Sequence, residues 1–183
     1  MLKDLWCDNN YRQGLSITSA QHLKVDHCWF SNTKGTPPAY GVDLEPFRPT
    51  QRLVDIVFEN CRFFGNSGGG ILVIPLDLNA TSIPIDIVFR KCYIDNNGVN
   101  RYQIKIGGST DKVPKSAPGI VRFEDCMVDN NSGTAVGVTK FANGYKAFFN
   151  NCVFKNSAEY PINFDDYTTA ESGIKFGGIS FTN

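Results

Sequence analysis

Residues 55–66 read DIVFENCRFFGN, and four other segments of the chain repeat this pattern. They are LKVDHCWFSN at 23–32, DIVFRKCYIDNN at 86–97, IVRFEDCMVDNN at 120–131 and KAFFNNCVFKN at 146–156. Each has alternating apolar residues, then polar residues, a cysteine, another apolar residue and a closing asparagine. The repeated cysteines are Cys28, Cys61, Cys92, Cys126 and Cys152, at steps of 33, 31, 34 and 26 residues. A period of about 20–50 residues is typical of solenoids, propellers and arrays.

Alternation within one repeat predicts three short strands. One strand precedes Cys61, a second follows it, and a third covers 70–73 with Ile71 and Val73 pointing inward. The third strand recurs in each repeat, and its outward residues form a column: Ser16, Asp43, Leu72, Lys105, Gly137 and Asn163. Asparagines at the second corner of each repeat are interpreted as turn formers: Asn32, Asn66, Asn96/Asn97, Asn130/Asn131 and Asn156. The sequence therefore predicts an all-β solenoid of about six to seven coils.

Composition limits the classes of function. The 183 residues, 42% of them hydrophobic, fit a single domain over 1–183. Charges balance at 18 basic and 18 acidic residues without a Lys/Arg cluster, so we expect no nucleic-acid partner. No apolar run approaches the ~20 residues of a membrane span, so we expect no membrane partner. Five of the six cysteines share one repeat position, which predicts a buried column of free thiols, with Cys7 off the register.

The segment YGVDLEP at 40–46 carries the strongest chemical pattern. Alternation places Asp43 and Glu45 on the same outer face, roughly 6.5–7 Å apart. Two carboxyl groups at roughly 5–9.5 Å can act as acid and base, or acid and nucleophile, in glycoside cleavage. A like-charge neighbour raises the pKa of one of them. The pattern predicts two catalytic carboxyl groups; the alternative is a strand end with two solvated acids.

Residues from neighbouring coils surround this pair. The predicted substrate-binding set is Arg12, Gln13, Tyr40, Arg48, Arg101 and Tyr102, with Lys105 as a further catalytic candidate. The cations can neutralise a uronate carboxylate, and Lys105 or Tyr40 can serve as acid or base. Trp29 heads a separate outward column with Arg62, Tyr93, Met127 and Val153, where aromatic rings can stack on sugars or pack against a subunit or loop. Asp43 and Glu45 with loop carbonyls are an alternative site for Ca²⁺.

Three features together resemble the right-handed parallel β-helix proteins of the pectate-lyase-like superfamily. They are NNYRQGLSI at 9–17, CWFSNTKGTPPAYGVDLEP at 28–46 and the repeated I/V-x-F-x-x-C-x-F-x-x-N pattern. The resemblance implies a right-handed parallel β-helix with three strands per coil. It implies a function among polysaccharide lyases, glycoside hydrolases, uronan epimerases and phage tailspike depolymerases. The segment YGVDLEP is similar to the YG-x-D-P-x-D element of the epimerases at Tyr40, Gly41 and Asp43, but its proline is displaced and its second acid is Glu45.

The leading expectation is a carbohydrate-active module that binds an acidic or complex polysaccharide, with cleavage, by a lyase or glycoside hydrolase, left open. The alternative is a non-catalytic structural module of a phage tailspike or cell-surface adhesin. A third hypothesis is a scaffold that assembles through the Trp29–Tyr93 column. The expected location is extracellular, on a cell surface or on a virion. We further expect a fragment or the C-terminal part of a longer solenoid, acting as a homotrimer or docked on additional coils.

Overall fold

A computed structural model describes residues 1–75, 77–98, 102–107, 117–130, 133–139, 145–157, 160–165 and 179–182. Within these ranges the chain forms nineteen strands and no helix. Every strand pair is parallel, and the strands lie in three sheets. The prediction of an all-β parallel solenoid with three strands per coil is therefore confirmed.

The chain visits the three sheets in turn. The first sheet contains β1 (Leu2–Lys3), β4 (Ala20–Asp26), β7 (Leu53–Glu59), β10 (Ile85–Arg90), β13 (Gly119–Glu124), β16 (Tyr145–Asn150) and β19 (Ile179–Thr182). The second contains β2 (Trp6–Asp8), β5 (Trp29–Ser31), β8 (Arg62–Phe64), β11 (Tyr93–Asp95), β14 (Met127–Asp129) and β17 (Val153–Lys155). The third contains β3 (Leu15–Ile17), β6 (Tyr40–Leu44), β9 (Gly69–Val73), β12 (Ile104–Gly107), β15 (Val136–Thr139) and β18 (Ile162–Asp165). Seven, six and six described strands give at most six complete coils, so the upper estimate of seven is wrong.

Identical side chains stack from coil to coil inside the solenoid. Four phenylalanine rings of the first sheet lie nearly parallel, with successive centroids 4.8, 5.0 and 4.6 Å apart: Phe58, Phe89, Phe123 and Phe149. This spacing matches the ~4.8 Å between neighbouring strands, because equal positions of successive coils are in register. The core is thus a set of continuous columns, which the repeated sequence pattern supplies.

The corner between the first and second strand has a fixed length. Two residues separate β7 from β8, namely Asn60 and Cys61, and the same number separates these strands in every coil from β1–β2 to β16–β17. The first corner residue has a left-handed φ of 51–55° in each coil: Asp4, His27, Asn60, Lys91, Asp125 and Asn151. Asparagine and aspartate tolerate this conformation at low cost.

A buried ladder of amide side chains runs along the second corner. The Asn66 amide nitrogen donates to Asn97 Oδ1 at 2.8 Å, Asn97 donates to Gln103 Oε1 at 2.7 Å, and Gln103 donates to Asn130 Oδ1 at 3.0 Å. Asn32 and Asn96 occupy the left-handed turn position instead, with φ of 52° and 54°. Turn formation therefore describes only some of these asparagines, and the buried ones hold neighbouring coils together.

The cysteine column forms as predicted. All six cysteines are free; Cys28, Cys61, Cys92 and Cys126 are buried, whereas Cys7 and Cys152 are half-buried. Each buried thiol donates to the carbonyl of the residue two positions before it, at 3.3–3.4 Å. Cys7 aligns with Phe30 and lies outside the column.

Thiol accessibility gives a direct test of this column. In the native protein a thiol reagent at about pH 8 should modify Cys7 and Cys152 alone, because part of each side chain is exposed. The reaction should be slow, because burial raises the pKa of Cys7, and Cys126 together with burial raises that of Cys152. The four buried thiols should react only after addition of denaturant. Mass spectrometry of the labelled peptides identifies the sites. Native modification of Cys61 or Cys92 would contradict the closed core.

Candidate functional site

The outward column of the third sheet is confirmed by strand register. Ser16 pairs with Asp43, Asp43 with Leu72, and Leu72 with Lys105. Gly137 and Asn163 continue the column on β15 and β18. Residues from separate coils are therefore brought to one face, as the sequence predicts.

A cleft of about 500 Å³ lies over this face. Leu72 and Ile74 form an apolar floor, with Glu45 from the coil on one side and Lys105 from the coil on the other. Arg12 also lines the cleft, and its charge acts on Glu45. The cleft thus presents an acid and two cations around an apolar strip.

The connection between β5 and β6 forms the wall of the cleft. Residues 35 and 37–40 line it, together with Ser67 and Gly68 from the next coil. Backbone hydrogen bonds fix this wall: Gly68 N donates to Ala39 O and Ser67 N to Thr33 O, both at 2.9 Å. A Cβ at Gly68 would collide with the Pro38 carbonyl oxygen, so only glycine permits this close approach. The cleft is therefore built on fixed backbone.

Asp43 points away from the solenoid core but is covered. Its exposed fraction is 1%, whereas Glu45 is half-buried and lines the cleft. Gln13 Nε2 donates to Asp43 Oδ2 at 3.0 Å. Asp43 Oδ1 is enclosed, and no donor of the described residues reaches it. The alternative of two solvated acids at a strand end is wrong for Asp43.

Burial changes the protonation of this pair. Burial, and then the charge of Glu45, raise the pKa of Asp43 to about 6, although the hydrogen bond from Gln13 and the charge of Arg12 oppose the rise. Burial also raises the pKa of Glu45, against the charge of Arg12. A hydrogen bond between the two carboxyl groups raises the pKa of Asp43 and lowers that of Glu45. Asp43 is therefore the member of the pair that holds a proton in mildly acidic solution.

Four of the other predicted site residues lie at the candidate site, and Tyr102 lies farther along the same face. Gln13, Arg12, Tyr40 and Lys105 lie at the carboxyl pair or line the cleft. Lys105 is two strands from Asp43, a backbone separation of roughly 10 Å. The Tyr102 ring covers Gly137, farther along the same column.

Two predicted binding residues are not brought to the cleft, and a third is not among the described residues. Arg48 is exposed beyond β6, and its side chain does not line the cleft. Trp29 belongs to the second sheet and so faces away from it. Arg101 lies outside the described residues.

The sequence analysis placed Leu72 in the outward column but did not identify Leu72 and Ile74 as an apolar floor, nor Ser67 and Gly68 as part of a wall. Leu72 and Ile74 are outward positions occupied by large apolar residues, which was a readable signal because such positions are normally polar. Ser67 and Gly68 gave no signal beyond that of an ordinary turn. Their role depends on which loop of the preceding coil lies over them.

The aromatic column of the second sheet extends one coil farther than predicted, to Trp6. Trp6 and Trp29 are 63% and 46% exposed, with ring centroids 5.8 Å apart. The Arg62 guanidinium lies 4.4 Å from the Phe64 ring centroid and pairs with Asp95 at 2.8 Å. The ligand or subunit role of this column stays a prediction.

Metal-binding groups and membrane-spanning helices are absent from the described residues. In the part of the chain that the structure describes, no group of three or more His, Cys, Asp or Glu side chains is arranged to hold a metal ion, so we derive no chemistry from Ca²⁺. Over the same residues, no helix has the length and apolar character needed to cross a membrane.

Comparisons of the sequence with known protein families, with curated proteins and with solved structures found no match. The case for a function therefore depends on the cleft itself.

Proposed function

We propose that the protein is a carbohydrate-active β-solenoid module that binds an acidic polysaccharide in the cleft and cleaves it by β-elimination. One observation carries the proposal: the buried Asp43 and the half-buried Glu45 lie beside Arg12 at a cleft with an apolar floor, and Lys105 lies across this cleft. The proposed location is extracellular, on a cell surface or on a virion, where such polymers occur.

The cleft offers complementary contacts for a uronic acid. Its volume of about 500 Å³ falls within the range of about 300–1,000 Å³ usual for ligand sites. The apolar face of a sugar ring can lie on Leu72 and Ile74, while Arg12 and Lys105 attract its carboxylate. These contacts favour an anionic sugar over a neutral one.

The same groups can carry out an elimination. Glu45 takes the proton from the carbon that bears the carboxylate, and Arg12 stabilises the charge that develops there. The electron pair forms a carbon–carbon double bond and expels the oxygen of the neighbouring glycosidic bond. Lys105 or Tyr40 gives a proton to that oxygen. No water and no redox partner are consumed.

A panel of uronans and neutral glycans tests this function. With the wild type, ultraviolet absorbance from unsaturated sugar ends should rise on uronans only. Glu45→Gln should lower the rate by about 10²–10⁴-fold, because it removes the base. Glu124→Gln, an ion-paired acid on the first sheet, is the matched control and should retain the rate.

The outcomes of this panel separate the candidate reactions. Reducing ends without absorbance would replace elimination by hydrolysis. Binding without products would leave a sugar-binding module. Absence of binding to any glycan would overturn the proposal.

The exposed Trp6 and Trp29 favour a second candidate, a non-catalytic structural module of a tailspike or adhesin. Large exposed aromatic residues often mark interfaces. This candidate implies a homotrimer or docking on further β-solenoid coils. Light scattering that shows a monomer, unchanged by Trp29→Ala, would argue against the trimer.

A further inference from the structure

We infer that Asp43 is a positioning residue, which keeps its carboxyl proton on Oδ1 and donates it to the carboxylate of Glu45, so that Glu45 rather than Asp43 meets the ligand. The part that concerns the ligand rests on the proposed function. The part that concerns the proton does not.

Exposure separates the two acids. Asp43 is 1% exposed and is not among the residues that line the cleft, whereas Glu45 lines it. A group that no ligand can reach does not act on it directly. The sequence pattern gave both acids the same role, because both occupy outward positions.

Hydrogen bonding at Asp43 indicates which oxygen holds the proton. Gln13 donates to Oδ2, so this oxygen is an acceptor. Oδ1 is enclosed with no donor of the described residues in reach, and a buried charged oxygen without a donor is costly. A proton on Oδ1 removes that cost and makes it a donor. The interaction between the two carboxyl groups raises the pKa of Asp43 and lowers that of Glu45, which is the pattern for Asp43 as donor and Glu45 as acceptor.

The charges around the pair support this assignment. Arg12, from the segment before β3, stabilises negative charge on both acids, and Asp77, from the connection after β9, disfavours it on Glu45. Lys105 of β12 lies at the far side of the cleft. The hydrogen bond from Asp43 lowers the pKa of Glu45, which keeps Glu45 ionised as a base in mild acid. Above about pH 6 Asp43 loses its proton and adds a second negative charge behind Glu45.

Carboxyl ¹³C NMR of the full chain tests the proton without any ligand. In the wild type, one aspartate should titrate near pH 6 and should disappear in Asp43→Asn. In Asp43→Leu the Glu45 midpoint should rise, because its donor is lost. An Asp43 midpoint near 4, or an unchanged Glu45 midpoint in Asp43→Leu with an intact amide spectrum, would overturn the inference.

The same variants test the division of roles on uronan cleavage. Asparagine keeps both a donor for Glu45 and an acceptor for Gln13, so the rate of Asp43→Asn at pH 5 should stay within about threefold of the wild-type rate. The wild-type rate should change as Asp43 loses its proton near pH 6, and the rate of Asp43→Asn should not. Asp43→Leu should lose at least about tenfold. A loss in Asp43→Asn as large as that in Glu45→Gln would show that Asp43 acts on the substrate itself. If no glycan is cleaved, the NMR titration still decides the proton assignment, so failure of the function and failure of the inference are distinguishable.

Discussion

Replacing Asn97 with alanine is expected to lower the free energy of unfolding by about 3–5 kcal/mol. Asn97 Oδ1 accepts hydrogen bonds from the backbone nitrogen of Asn66 at 3.0 Å and from its side chain at 2.8 Å. The Asn97 amide also donates to Phe63 O at 3.0 Å. Alanine leaves the Asn66 backbone N–H and one N–H of the Asn66 side-chain amide unpaired, although this amide keeps its bond to Phe30 O. Each buried donor left unpaired costs about 1–3 kcal/mol. Denaturant unfolding followed by circular dichroism measures the change.

The neighbouring Asn96 provides the control for this substitution. Asn96 is exposed and has a left-handed φ of 54°, which glycine adopts freely. Asn96→Gly removes the same side chain one position earlier and should cost less than about 1 kcal/mol. Equal effects of the two variants would mean that the ladder contributes no more than the turn.

Replacing Asp43 with asparagine is expected to stabilise the protein at pH 8 by about 3 kcal/mol and to change it little at pH 4. The pKa of Asp43 rises from 3.8 to about 6 on folding, a difference worth about 3 kcal/mol. The folded state binds this proton more tightly than the unfolded state does. Protonation of Asp43 therefore stabilises the fold fully below pH 3.8, and this stabilisation is lost as the pH rises through about 6. Asparagine stays neutral and removes the cost of a buried charge at high pH.

Unfolding free energies of both proteins at pH 4, 6 and 8 measure this linkage. The comparison uses the difference between variant and wild type, so that other carboxyl groups cancel. Asp4→Asn, at an exposed corner with φ of 53°, is the control, because an exposed carboxyl has no burial cost to relieve. An Asp43→Asn difference that does not grow between pH 4 and pH 8 would show that Asp43 is not buried as a charge.

The fold was predictable because every coil repeats the same alternation of apolar and polar residues around its cysteine. Alternation around Cys61 identified the inward residues, and the stacking of equal positions then followed from parallel register. The amide ladder was only half predictable. Asn97 and Asn96 are adjacent and chemically identical, and backbone conformation decides which one is buried. Gln103, which connects Asn97 to Asn130, lies outside the asparagine pattern altogether.

The site was predictable to the level of a face. Period-two alternation predicted that Asp43 and Lys105 lie on the same side of the third sheet. The parallel register then aligns both of them with Leu72, on the strand between theirs. Alternation distinguishes inward from outward but carries no information on what covers an outward residue. The burial of Asp43 and the separation of Trp29 from the cleft depend on loop paths and on the angle between sheets, which no single repeat encodes.

The two kinds of connection in each coil differ in how freely evolution can alter them. The corner between the first and second strands has two residues throughout, whereas the connection after the third strand ranges from 18–19 after β3 to 45–52 after β6 and 74–84 after β9. Glu45 and Ile74 begin two of these variable connections. Insertions and deletions there would diversify ligand preference while the stacked interior stays unchanged. Libraries randomised in length and sequence at 46–51 and 77–83 would be the natural starting point for redirecting selectivity.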